Sequence, residues 1–253
     1  MKLLEISHLK VKYSDVYVVD DISFCVEEGQ WLMIAGPNGA GKSTILNAIS
    51  KGVPYEGEIR IKEKSIRSMK SVQLARHAGI LSQNHMAGYD FTVREIVGLG
   101  RYAYQSSIFR SGMQNNEAAV SDAIHSAGLE KLEHKSILHL SGGEVQRTFL
   151  AQLFAQNPDI MILDEPANHL DLVYQKQVFE LISSWLREPG RAVISVVHDL
   201  SLAKAYGTHC LLMNNGRTAA SGTIDDVLTP EKLNTVYQMD VYEWMRHMLG
   251  QWT

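Results

Sequence analysis

A lysine and a serine stand side by side at the end of a glycine-rich stretch, Gly36-Pro37-Asn38-Gly39-Ala40-Gly41-Lys42-Ser43-Thr44. Gly36 to Ser43 fits the phosphate-loop spacing G-x-x-x-x-G-K-[ST]. The context that this spacing needs is present. The apolar run Trp31-Leu32-Met33-Ile34-Ala35 reads as a strand entering the loop; Ile45, Ala48 and Ile49 then recur at helical spacing, and Gly52 lies where that helix could stop. The chemistry is that of phosphate binding. Side chains at Gly36, Gly39 and Gly41 would keep the loop's N–H groups away from a phosphate, and the helix N-terminus adds partial positive charge. Lys42 supplies a point charge for the β/γ-phosphates, and the Ser43 hydroxyl is a ligand for Mg²⁺.

A second set of reactive side chains lies far along the chain. Asp164 and Glu165 follow the unalternating apolar run Ile160-Met161-Ile162-Leu163. Ligands of open α/β sheets bind at the C-terminal ends of such strands. Beside the phosphate loop, Asp164 is expected on the Mg²⁺ side, and Glu165 is placed to polarise an attacking water. His198 follows another apolar run, Ala192 to Val197. It reads either as a packed, hydrogen-bonded histidine or as a donor to the γ-phosphate. Gln83, at the end of Ile80-Leu81-Ser82, is an uncharged group that could touch the metal or the water. Leu140-Ser141-Gly142-Gly143-Glu144-Val145-Gln146-Arg147 carries a helix N-cap at Ser141 and two glycines that permit close approach of an anion, yet no lysine.

The elements that must position these residues alternate strand and helix. Residues 3–13 and 16–26 read as strands, with Glu27-Glu28-Gly29 as the turn before the loop strand, and Glu58–Lys62 as a short alternating strand. The apolar runs at 160–163 and 192–197 suit strands buried on both faces of a parallel sheet, separated by helical segments such as Leu172–Leu186. Between them, residues 85–156 change texture and read as a mostly helical insert. Thr92-Val93-Arg94-Glu95 fits a capping box, and Asn116–Ala127 reads as a helix stopped by Gly128. The aromatic stretch Arg101-Tyr102-Ala103-Tyr104, with Ile108 and Phe109, reads equally as a docking surface or as the insert's own core. Beyond Leu211 the pattern shortens into turns and a small amphipathic tail.

Composition narrows the class. The 253 residues are 45% hydrophobic and 21% charged, an ordinary globular balance. A net charge of −4 argues against nucleic acid as a general partner. Cys25 and Cys210, the two cysteines, form no metal-ligand pattern and are expected as small buried apolar residues. No run reaches the ~18 apolar residues of a membrane span, and the start lacks a signal-peptide core, so a membrane role is expected to be peripheral.

Taken together, these motifs resemble the ATP-binding subunit of an ATP-binding cassette (ABC) transporter over nearly the whole chain. Gly36–Thr44 resembles Walker A and Leu140–Gln146 the family signature, while Ile160–Glu165 resembles Walker B with its catalytic glutamate. Gln83 resembles the Q-loop residue, Asn168-His169-Leu170-Asp171 the D-loop, His198 the switch histidine, and Tyr13 the aromatic that stacks on adenine. The resemblance implies a P-loop ABC ATPase fold with a mainly parallel core sheet and an antiparallel N-terminal β-subdomain. Residues 1–84 and 157–253 would form the core, and 85–156 the inserted α-helical subdomain. It implies ATP and Mg²⁺ as cofactors, with Glu165, His198, Gln83 and Lys42 in catalysis and Ser43, Gln83 and Asp164 at the metal. Nucleotide would be held by Tyr13, Gly36 to Thr44, Ser141, Gly142, Gly143 and Asp171.

The implied partners are a second copy closing an ATP sandwich, two transmembrane permease subunits and, indirectly, an extracytoplasmic solute-binding protein. The implied location is the cytoplasmic face of the inner membrane. The D-loop stretch, residues 92–102 ending Gly98-Leu99-Gly100-Arg101-Tyr102, and residues 222–237 with Val227-Leu228-Thr229-Pro230 resemble importers of iron–siderophores, haem or cobalamin. Siderophore stands first among these. A non-transport ABC ATPase, such as an iron–sulfur assembly factor, is the reading from another class. Ala167 departs from the family, which often has Thr after Glu-Pro.

Overall fold

The structure is a computed structural model that describes residues 1–82, 90–104, 110–168 and 170–252, leaving out the side chains of 110–114 and 252. Strands β1 (Lys2–Tyr13) and β2 (Val16–Glu27) form a hairpin, and β3 (Trp31–Ala35) leads through the glycine-rich loop into α1 (Lys42–Ile49). Then come β4 (Glu56–Ile61), β5 (Lys64–Ser65), α2 (Ser71–His77) and β6 (Ala78–Leu81). The insert holds α3 (Val93–Leu99), α4 (Arg110–Ser126) and α5 (Gly142–Gln156). The chain returns through β7 (Ile160–Asp164), α6 (Leu172–Leu186), β8 (Ala192–Val196), α7 (Leu200–Tyr206), β9 (His209–Asn214) and β10 (Arg217–Thr223). It ends with α8 (Ile224–Val227), α9 (Pro230–Tyr237) and α10 (Val241–Leu249).

Two sheets result. An antiparallel sheet runs β2-β1-β4-β5, and a six-stranded sheet runs β10-β9-β3-β8-β7-β6. In the larger sheet β9, β3, β8, β7 and β6 are parallel, and β10 is an antiparallel edge. The unalternating runs have a direct cause. Along β7, Ile160 and Ile162 enter one core with α1 and the N-terminal sheet, whereas Met161 and Leu163 enter another beneath α6. Both faces are covered, so every position from Ile160 to Leu163 is apolar. At the second core Trp31 stacks on Phe179 at 5.4 Å between centroids, and its indole N–H donates to the buried Ser195 hydroxyl at 2.9 Å. That bond satisfies the one polar side chain inside β8.

The insert has its own small core, in which Val93, Val97, Val120 and Ile124 pack against Ala151 and Ala155 of α5. The Thr92–Glu95 capping box is present, with the Thr92 N–H donating to Glu95 Oε2 at 2.8 Å. The aromatic stretch divides: Tyr102 is 70% exposed, while the Arg101 guanidinium lies 3.9 Å from the Tyr104 ring centroid. Ile108 and Phe109 lie outside the described residues.

Three expectations need correction. Cys25 is exposed, because the pleat of β2 sends Val26 and Phe24 inward and Cys25 outward; Cys210 is buried, and burial pushes its thiol up to about 12. The helix expected from Asn116 begins at Arg110. Beyond Leu211 the chain builds a β9–β10 hairpin and the helices α8 and α9 rather than turns, and the expected amphipathic tail is the helix α10. Among the described residues no helix is long and apolar enough to cross a membrane.

Candidate functional site

The loop between β3 and α1 is held by backbone crowding. A Cβ on Gly36 (φ +143) would lie 2.3 Å from the Met213 carbonyl oxygen, and one on Gly41 (φ +94) 2.5 Å from that of Val18. Glycine is required at both positions by β9 and β2 of the same chain, rather than by clearance for a phosphate; at Gly39 nothing lies within 4 Å. Gly41 caps α1 with no side chain bonded to the first turn, and that turn carries no acid. Its N–H groups are thus left for an anion, which fits a nucleotide phosphate.

Lys42 is buried, and its ammonium donates to the Gly36 carbonyl at 2.7 Å and the Pro37 carbonyl at 2.9 Å. Burial holds its pKa below the usual lysine value, opposed by the nearby Glu165 and Asp164 charges. The Ser43 hydroxyl donates to Asp164 Oδ1 at 3.1 Å. Burial raises the Asp164 pKa, and the Ser43 hydrogen bond opposes that shift. A hydroxyl and a carboxylate oxygen brought together from distant parts of the chain are hard donors of the kind Mg²⁺ takes. The cleft over the loop is lined by Val18, the run Asn38 to Thr44, Glu165 and His198.

Glu165 follows β7 in a left-handed conformation, φ 53. That conformation costs a non-glycine residue of order 1–3 kcal/mol and persists where the surroundings fix it. Here its N–H donates to the Val196 carbonyl at 3.2 Å. The carboxylate is shared: Oε1 lies 2.6 Å from His198 Nε2, and Oε2 accepts from Asn168 Nδ2 at 2.6 Å. An acid–base pair with a third group orienting it is the arrangement proton transfer needs. His198 therefore meets the glutamate directly, which the sequence left open. Asn168 was legible only as part of a motif, not as a partner of the carboxylate.

The remaining residues are dispersed. Tyr13 sits at the exposed end of β1, opposite Val16, on the hairpin whose Val18 borders the loop. Asp171 caps α6, accepting from the Tyr174 N–H at 3.0 Å. Gln83 and His169 lie outside the described residues. Ser141, Gly142 and Gly143 do not line the cleft around the phosphate loop. Ser141 instead caps α5 in a reciprocal box with Glu144: its N–H and hydroxyl donate to Glu144 Oε2 at 2.7 and 2.9 Å. Those bonds hold the Glu144 carboxyl below its usual range. The two glycines differ. Nothing lies within 4 Å of a Cβ on Gly142, whereas one on Gly143 would stand 2.5 Å from Tyr174 Cγ. Gln146 donates to the Pro166 carbonyl at 2.6 Å, tying this helix to the turn after Glu165.

Residues 19–168 match the family model described as ABC transporter. The chain is similar to the ABC transporter ATP-binding protein YvrA of Bacillus subtilis (strain 168), 38% identical over 230 residues, 90% of this chain. It spans about half of that relative, 52% of its length. It is also similar to the ferric enterobactin transport ATP-binding protein FepC of Escherichia coli (strain K12), 34% identical over 230 residues, 90% of this chain and 84% of the relative. The fold matches the ADP conformation of MJ1267, an ATP-binding cassette of an ABC transporter, with TM-score 0.82 and 22% identity over 94% of this chain and 98% of that one. The family match and the furnished phosphate loop agree, and the chain belongs to the ABC transporter family as an ATP-binding, ATP-hydrolysing domain.

Proposed function

We propose that this domain energises an ABC importer of iron–siderophore complexes. Two copies would close head to tail, each ATP lying between the Lys42 loop of one and Ser141, Gly142 and Gly143 of the other. The observation that carries this reading is the separation of the two half-sites: the phosphate loop holds lysine, hydroxyl and carboxylates, while the signature helix start lies outside that cleft and has no lysine. Lys42 would bind the phosphates, Tyr13 would stack on adenine, and Asp171 would meet the nucleotide across the dimer. Glu165, held by His198 and Asn168, would take the proton of the attacking water as it reaches the γ-phosphate. Ser43, Asp164 and Gln83 would hold Mg²⁺, which supplies charge neutralisation at the phosphates.

The dimer would sit under two transmembrane permease subunits on the cytoplasmic face of the inner membrane, fed by an extracytoplasmic solute-binding protein. The siderophore reading is supported by the similarity to a ferric enterobactin transport protein. The test is uptake by cells lacking this chain and complemented with wild type or Glu165→Gln. Labelled ferric siderophore should accumulate only with wild type. Accumulation of haem or cobalamin instead would move the substrate. Unchanged uptake of all three, with reduced iron–sulfur enzyme activity, would favour the assembly role.

A further inference from the structure

Helices α7 and α10 flank a groove of about 410 Å³, floored by Leu228 and Leu233, each 2% exposed. That volume is within the range of small-molecule sites, which are mostly apolar with a few placed polar groups. Met245 of α10 lines it, and Leu249, 64% exposed, leaves it open to solvent. The Tyr242 hydroxyl donates to the Leu228 carbonyl at 2.7 Å, which ties α10 to the floor. The charge of the lining is of one sign: among the described residues Lys204 and Arg246 line the groove, and no carboxylate does. The two cations differ. Lys204 Nζ lies 3.6 Å from Asp225 Oδ1 and 3.4 Å from the Tyr242 hydroxyl oxygen. The Arg246 guanidinium has no ion pair or hydrogen bond among the described residues.

We propose that this groove is a binding site for a long-chain carboxylate, a free fatty acid anion. Its hydrocarbon lies over Leu228, Leu233 and Met245, and its carboxylate meets Arg246, with Lys204 as the second cation. Both halves of that ligand are needed. An alkyl chain alone would fill the trough and leave Arg246 unpaired. A phosphate alone would meet the cations and leave the trough in water. A guanidinium takes a carboxylate through two parallel N–H bonds, which a lone ammonium does not. A second copy of the chain fits less well, because a two-fold contact uses one patch twice and would set Lys204 and Arg246 of each copy against the other's. None of the residues lining the groove lines the cleft over the phosphate loop. The site is therefore separate from the ATP site, and does not depend on what the transporter carries.

The test is calorimetric titration of the full chain with laurate kept below its micelle concentration. Laurate should bind saturably, one per chain, and each methylene removed on going to decanoate and octanoate should weaken binding about fourfold. Arg246→Ala should weaken laurate about tenfold or more, the worth of a charge-assisted bond, and leave dodecanol unchanged. Leu249→Glu, which sets a carboxylate at the exposed side of the groove, should abolish laurate binding. Both positions are exposed, and an unchanged ATP titration shows that each variant is folded. No saturable laurate binding would overturn the proposal. So would equal binding of dodecyltrimethylammonium, whose charge is opposite, or an Arg246→Ala protein with wild-type laurate affinity. Binding to vesicles of phosphatidylglycerol without binding of laurate would overturn it in favour of a membrane surface. Self-association lost in Leu249→Glu, again without laurate binding, would give the groove to a second copy.

Discussion

Two helix starts in this molecule face the same problem of unpaired N–H groups and solve it in opposite ways. At α1 the cap is Gly41, no side chain bonds the first turn, and the first residues are Lys42 and Ser43. At α5 the cap is Ser141, closed in a box by Glu144, an acid in the first turn. The first start is bare and cationic, and is kept so by strands crowding its glycines. The second satisfies part of its own donors and carries negative charge. An anion is attracted to the first by Lys42, whereas at the second the Glu144 carboxylate stands against it. The lesson is that a glycine-rich helix start is not in itself a phosphate site; the local charge decides how strongly it attracts an anion on its own.

Substitutions can break this contrast from either side. The largest effect is expected at Glu165. Glu165→Gln should keep ATP binding and lower the single-turnover rate ~10²–10⁴-fold, the usual worth of a positioned base; near-normal hydrolysis would remove Glu165 from that role. On the side of α1, Lys42→Ala should weaken ATP binding itself. Losing a charge-assisted hydrogen bond costs about 1.5–3 kcal/mol, or about ten- to a hundredfold in Kd, readable in a nucleotide titration. The corresponding change at α5, Ser141→Arg, should leave that titration unchanged and block ATP-driven dimerisation. A loss of monomer affinity there would erase the contrast. The smallest effect is expected at Tyr13, where Tyr13→Ala should raise the KM for ATP by the worth of one base stack, roughly 1–3 kcal/mol, and Tyr13→Phe should not. Equal effects would point to the hydroxyl.

Much of the phosphate half was legible in the sequence because its signals are local. A strand, a glycine-rich loop and a helix follow within about twenty residues, and the apolar runs of β7 and β8 report burial on both faces directly. What was not legible depends on distant pieces. No spacing shows that Gly36 is pinned by Met213, that His198 reaches Glu165, or that Tyr174 fills the space beside Gly143. The exposure of Cys25 follows from the register of β2, where a residue's type says less than its parity. The helices after β10 are short or only half-apolar, so their pattern faded where tertiary packing against α7 and β9 takes over.

The most direct test of a site shared between two chains is the mass of the protein in solution with and without nucleotide. Sedimentation of Glu165→Gln should show a monomer with ADP and a dimer with ATP, and adding Ser141→Arg should return the ATP sample to monomer while it still binds ATP. A Glu165→Gln protein that stays monomeric at saturating ATP, or an ATP dimer untouched by Ser141→Arg, would contradict the account.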